Sequence, residues 1–192
     1  MIWKKLESGT FEKMLEEKLM EAQQKWSRVR TIEEIPAKQL VFCWKRYSEQ
    51  RPEELLKNPR VIIGTLVHRG IEHYFGQPDN EDAVIKKRID EYVIVGLPDY
   101  MTDDTVYEFK YATSPPSQPK EWDLRQLRIY MWLTGRQRGE LVYITPMRIK
   151  SFVIDEPMSD DEIKELLRYK WAKYKWECST CPFRHECKYR KV

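Results

Sequence analysis

Asp99, Glu108 and Lys110 are the residues of this 192-residue chain whose types and spacing can do chemistry together. The run from Thr105 to Ala112 reads as a β-strand. Its alternation sends Tyr107, Phe109 and Tyr111 one way and Val106, Glu108, Lys110 and Ala112 the other. Asp99 lies before the turn at Thr102-Asp103-Asp104 and can meet Glu108 across the two arms of a hairpin. Two carboxylates with an ammonium beside them suit Mg²⁺ or Mn²⁺, which polarises a phosphate and lowers the pKa of a bound water. Lys110 can orient that water or neutralise charge developing on phosphoryl oxygens. Alone, a Glu-x-Lys on a charged hairpin is more simply an exposed cross-strand ion pair. The rest of the set turns the balance: Gly96-Leu97-Pro98-Asp99 upstream, His68 on a preceding helix, and Gln126 with Tyr130 four residues apart on a following one. Glu72 shares the helical face of His68 and is a further candidate for supporting the site, although a solvated carboxylate is its simpler reading.

The second constellation is sulfur. Cys178-Ser179-Thr180-Cys181-Pro182 is followed by Cys187, and the fourth cysteine, Cys43, stands 135 positions before Cys178. Pure cysteine ligation holds either zinc or an iron–sulfur cluster, and ligand chemistry does not separate the two. Spacing alone puts zinc slightly ahead. Cys43 taken by itself reads equally as a small core residue.

These residues need elements to hold them. Phe11, Leu15, Leu19, Ala22 and Trp26 recur at helical intervals, so a leader helix over Phe11 to Trp26 is expected. Pro36 can open a second helix running through Leu40, Phe42 and Cys43 towards Tyr47, which makes Cys43 helical. Arg60 to Phe75, closed by Gly76-Gln77-Pro78, reads as a third helix bearing His68. Tyr92 to Val95 and Thr105 to Ala112 form the hairpin, and Trp122 to Leu133, stopped by Gly135, forms a helix. Strands are expected at Leu141 to Thr145 and Ile149 to Ile154. A capping box at Ser159-Asp160-Asp161-Glu162 opens a last helix to about Tyr174. This order predicts a mixed α/β (α+β) fold with a small central mixed sheet flanked by helices. The length suits one domain, with a helical region over 1–58, a core over 59–158 and a helix with a cysteine tail over 159–192.

Composition narrows the function. No apolar run approaches the length needed to cross a bilayer, and the N-terminus lacks the apolar core of a secretory signal, so no membrane role and a cytoplasmic location are expected. The net charge of +3 is polarised, because residues 164–192 carry nine Lys or Arg against three Asp or Glu. That tail favours an anionic partner. Within it, Lys170, Lys173 and Lys175 alternate with aromatic rings, a pattern that can track a phosphate backbone while the rings stack bases. Leu167, Trp171 and Tyr174 also fall on one helical stripe, which favours core packing for the rings and leaves the lysines to attract DNA.

Taken in order, His68, Gly96 to Asp99, Glu108-Phe109-Lys110 and Gln126 to Tyr130 resemble the motif series of PD-(D/E)xK nucleases of the RecB type. Joined to the cysteine layout, they resemble the CRISPR-associated exonucleases of the Cas-four family, over roughly Pro36 to Tyr189. The resemblance implies a restriction-endonuclease-like core. It implies that His68, Asp99, Glu108 and the backbone carbonyl of Phe109 bind Mg²⁺ or Mn²⁺, that Lys110 is catalytic, and that Gln126 and Tyr130 support the site or the DNA strand. Cys43, Cys178, Cys181 and Cys187 would then hold an iron–sulfur cluster of the 4Fe-4S type in a structural role. The implied activity is 5′ to 3′ exonucleolytic cleavage of single-stranded DNA during CRISPR spacer acquisition, alongside the integrase proteins. A RecB-like repair or viral nuclease is the alternative enzyme, and a non-catalytic, zinc-bearing DNA-binding adaptor the alternative of another class. The sequence departs from the family at Cys43-Trp44-Lys45-Arg46, where Cys-Pro-Arg is common, and in its leader from Met1 to Arg30.

Overall fold

The structure is a computed structural model that describes residues 34–49, 58–75 and 83–191, together with residues 13, 17, 18 and 20. Apart from Lys13, Glu17, Lys18 and Met20, the expected leader helix lies outside the described residues, as does the Gly76-Gln77-Pro78 stop. The elements run β1 (Glu34–Pro36), α1 (Ala37–Val41), α2 (Trp44–Glu49), α3 (Pro59–Tyr74), β2 (Ile85–Ile89), β3 (Tyr92–Gly96), β4 (Tyr100–Met101), β5 (Thr105–Tyr111), α4 (Glu121–Thr134), β6 (Arg138–Ile144), β7 (Ile149–Ile154), α5 (Asp160–Arg168) and α6 (Lys175–Ser179).

The fold is mixed α/β, and its strands fall into two sheets where one was expected. One sheet has the order β1-β3-β2 and the other β4-β5-β6-β7. β1 runs parallel to β3, and β5 parallel to β6, while the remaining pairs are antiparallel. The expected hairpin is corrected accordingly. β3 pairs with β2 through a two-residue turn at Asp90-Glu91, and the short β4 pairs with β5. Asp90 takes φ 50 in that turn, a left-handed conformation that Asp tolerates better than most residues.

The buried layer is organised by α4. Leu127, Ile129, Met131 and Leu133 pack with Val106 of β5, Leu141 and Tyr143 of β6, Ile94 of β3, Leu40 and Val41 of α1, and Ile163 and Leu167 of α5. Two glycines let the helix sit close. A Cβ at Gly139 would lie 2.7 Å from the Met131 sulfur, and one at Gly96 would lie 2.8 Å from Tyr130 Cε1. α4 joins the parallel strands β5 and β6, as a crossover helix must. It ends at Gly135, whose φ of 76 is the left-handed stop read from the sequence.

Two further readings change. Pro36 is the last residue of β1 and sits at the N-cap of α1, which stops at Val41 because Phe42 is extended at φ −117, ψ 176. Cys43 is therefore outside both short helices. The helix opened by Ser159 has its capping box but ends at Arg168, not near Tyr174. Residues 169–174 are irregular, and the backbone N–H groups of Lys173 and Tyr174 are taken by the carboxylate of Glu177, 2.7 and 2.9 Å away, instead of by a preceding turn. Among the described residues, no helix is long and apolar enough to cross a membrane.

Candidate active site and cysteine pocket

The β4–β5 register pairs Tyr100 with Tyr107 and Met101 with Val106, which brings Asp99, one residue before β4, level with Glu108. The Asp99 carboxylate is fixed from two sides. Its Oδ2 accepts the Phe109 backbone N–H at 2.7 Å, and its Oδ1 lies 3.4 Å from His68 Nδ1 on α3. Helix α3 packs on β5, and one turn beyond His68 it presents Glu72 to the same spot. One ligand atom each from His68, Glu72 and Asp99 lie within 4.8 Å of one another, and among the described residues no other such trio of His, Cys, Asp or Glu occurs. Glu72 also pairs with Arg69 at 3.0 Å.

Glu108 and Lys110 belong to a second, hydrogen-bonded group reaching α4. Lys110 Nζ donates to Glu108 Oε1 and, at 3.0 Å, to Gln126 Oε1. Gln126 Nε2 donates to Glu108 Oε1 at 2.7 Å and to the Tyr130 hydroxyl at 3.4 Å. The amide of Gln126 has one workable orientation, because an ammonium has no acceptor and a carboxylate no donor. Glu108 is fully buried and its Oε2 has no hydrogen-bond partner. An orphaned carboxylate oxygen in a buried position is costly unless something positive faces it. Hard oxygens with one imidazole fit Mg²⁺ or Mn²⁺, so the residues present fit the ion that the sequence implied.

The electrostatics follow from this crowding. Burial and the neighbouring Asp99 charge push the Glu108 carboxyl above the usual range, against the pull of Lys110. Burial also disfavours charge on Asp99, yet the His68 hydrogen bond and the positive groups around it hold its carboxyl below the usual range. For Lys110, burial opposes the ammonium and the carboxylates of Glu108, Asp99 and Asp123 outweigh it, so the group stays charged. Tyr130 is held firmly protonated by burial and by Glu108 and Asp99.

Away from this site, Cys43 from the N-terminal side and Cys178, Cys181 and Cys187 from the tail line one pocket with free thiols. Cys43 and Cys178 are buried with Ala172, and the stacked rings of Trp171 and Tyr189, 3.5 Å between centroids, form part of the wall. The Lys191 backbone N–H points at Cys178 Sγ, 3.4 Å away. A residue that the sequence reading missed stands among them. Glu177 is 1% exposed, and its Oε2 accepts the Cys43 N–H at 2.6 Å. Nothing local marks it, since its partners include a backbone group 134 residues away.

The three tail lysines do not form one row. Lys170 is exposed and covers the Trp44 ring, with Nζ 4.7 Å from its centroid, and Lys175 is exposed at the start of α6. Lys173 turns inward, donating to the Phe42 and Tyr169 carbonyls at 3.3 Å, and burial drives its ammonium down to about 8.

No protein-family model matches the chain. A curated relative, the CRISPR-associated exonuclease Cas4 of Saccharolobus solfataricus, is 29% identical over 182 residues, covering 84% of this chain and 90% of the relative. The crystal structure of SSO0001 superposes with a TM-score of 0.77 at 27% identity, covering 96% of this chain and 99% of that one. The chain is thus similar in sequence over most of its length to a CRISPR-associated exonuclease Cas4, and in fold over nearly all of it to SSO0001.

Proposed function

We propose that the protein is a divalent-metal-dependent DNA exonuclease acting on single-stranded DNA. The observation that carries this reading is the buried Glu108–Lys110–Gln126 group with a free carboxylate oxygen beside Asp99. His68, Asp99, Glu108 and the Phe109 carbonyl would hold Mg²⁺ or Mn²⁺, with Glu72 at the edge of the same spot. When bound, that ion polarises the scissile phosphate and lowers the pKa of a water.

The chain's own residues do the rest. Phe109 N–H and His68 fix Asp99 in its ionised form. Gln126 and Lys110 both engage Glu108 Oε1, which leaves Oε2 as the oxygen free for the ion. Lys110, held charged between Glu108 and Gln126, neutralises charge that develops on the phosphoryl oxygens. Tyr130 keeps its proton while accepting from Gln126, and so supports the amide that engages Glu108 and Lys110.

Likeness to a CRISPR-associated exonuclease supports a place in the CRISPR system, and the motif resemblance implies trimming of DNA during adaptation alongside the integrase proteins, with 5′ to 3′ polarity. In the cysteine pocket we favour an iron–sulfur cluster over zinc. The four free thiols gather in one pocket, and their layout beside the nuclease motifs is the one whose resemblance implies a cluster. Cys43, Cys178, Cys181 and Cys187 would hold that cluster in a structural role, which would tie the segment around Cys43 to the tail.

Cleavage of single-stranded DNA labelled at either end tests the reading. With Mg²⁺ or Mn²⁺, wild type shortens the strand and releases the 5′ label first, EDTA stops it, and Lys110→Ala retains DNA binding while losing at least a hundredfold in rate. An unchanged rate in Lys110→Ala overturns the catalytic role of Lys110, and no cleavage by folded wild type would leave the DNA-binding adaptor as the better account. Protein purified without oxygen is brown and contains iron; a colourless, zinc-loaded protein of full activity defeats the cluster assignment.

A further inference from the structure

We infer that Glu177 is a positioning residue that seats Cys43 against the tail, so that the four cysteines share one pocket before anything is bound to them. The inference rests on the cysteine site proposed above and concerns how its remote ligand reaches it.

Cys43 falls in the break between α1 and α2, where a backbone N–H has no preceding helical carbonyl to bond. Its carbonyl accepts the Tyr47 N–H at 2.9 Å, so it caps α2. The two amides at this junction both go to the tail. Cys43 N–H donates to Glu177 Oε2 at 2.6 Å, and Trp44 N–H donates to the Lys170 carbonyl at 3.0 Å. Glu177 Oε1 collects the N–H groups of Lys173 and Tyr174, which folds residues 173–177 back on themselves. Arg46 closes the corner from outside, its Nη1 donating to the Glu177 carbonyl and to Thr180 Oγ1, each at 2.9 Å.

Every group that meets the Glu177 side chain is a donor, which is why a carboxylate stands here. Gln carries a single oxygen and would turn its own N–H groups towards one side of the junction. Because the carboxylate is 1% exposed, water cannot replace a lost acceptor. One side chain thus couples the sequence position of Cys43 to that of Cys178, its immediate neighbour.

The test is made on reduced, metal-free protein and again after anaerobic reconstitution with iron and sulfide. Brief iodoacetamide treatment with peptide mass spectrometry reads each thiol separately. Cys43 is slow in wild type and becomes at least tenfold faster in Glu177→Gln, while Ser159→Ala, which loosens a distant helix cap, leaves it slow. If Glu177→Gln does not fold, Glu177→Asp keeps charge and acceptors but falls one methylene short, and it speeds Cys43 labelling by a smaller factor. After reconstitution, Glu177→Gln loses iron to a chelator at least tenfold faster than wild type while its DNA cleavage rate is read separately. Equal Cys43 labelling in wild type and both variants overturns the inference. A wild type that takes up zinc and no iron overturns the cluster assignment instead, and the labelling of metal-free protein still decides the role of Glu177.

Discussion

Glu108 is enclosed between an unlike charge on Lys110 and a like charge on Asp99, with burial added to the latter. A carboxyl raised in this way favours its neutral form in the folded protein. It therefore contributes stability below the ordinary carboxylate range, and that contribution is lost as pH rises through its folded value. A divalent cation binds the ionised form. The rise in melting temperature produced by Mn²⁺ should accordingly be small near pH 4 and grow towards about pH 7, and the growth should flatten in Glu108→Gln. Scanning calorimetry at several pH values checks this, and a shift independent of pH counts against Glu108 as a ligand. Asp99, Glu108 and Lys110 were legible in the sequence because strand alternation and a turn fix which side chains meet. Glu72 was legible as a companion of His68 on one helical face, although a solvated carboxylate was its simpler reading. Glu177 was not legible, since it is one of 31 acidic residues and what distinguishes it is a neighbour supplied by another element.

At the scale of elements, α4 is the part that everything else is fitted to. Gly96 of β3 lies under Tyr130 and Leu133, and an added Cβ would stand 2.8 and 2.9 Å from their side-chain atoms and 3.2 Å from Ala37 Cβ. Gly96→Ala should cost about 1–3 kcal/mol through overpacking, measured by denaturant unfolding. It should also lower cleavage, because the displaced ring is Tyr130. Helix α4 was legible from its stop at Gly135 and strand β5 from its alternation. Strand β2 was not, since Ile85-Lys86-Lys87-Arg88-Ile89 reads as a solvated basic run. The inward position of Lys87 is stable because its ammonium bonds the Trp132 carbonyl at 2.8 Å and lies 4.2 Å from the Trp132 ring centroid, capping the end of α4. The last helix was read six residues too long because its apolar stripe continues past Arg168, although Glu177 claims the backbone donors beyond. Periodicity records which face is apolar and says nothing about a side chain that competes for the ladder.

For the whole molecule, charge is the property with the longest reach. The basic end is divided between outward and inward lysines, so the three candidates should not act alike in binding. Replacing Lys170 and Lys175 together with Ala should weaken single-stranded DNA binding at low salt and flatten the plot of log affinity against log salt by about 1.4, at about 0.7 for each phosphate contact on a single strand. Lys173→Ala should change that slope little and reduce stability instead, as its ammonium is spent on two carbonyls. Fluorescence anisotropy over a salt series separates the two effects. The corner held by Glu177 also has a consequence in time. The ribosome makes Cys43 134 residues before Glu177, an interval of roughly 7 to 27 seconds at about 5–20 residues per second. Throughout it, the thiol at position 43 has been synthesised and its seat has not. Any loading of the cysteine pocket must therefore follow the synthesis of Glu177, and the nascent chain passes through that interval with the thiol unseated.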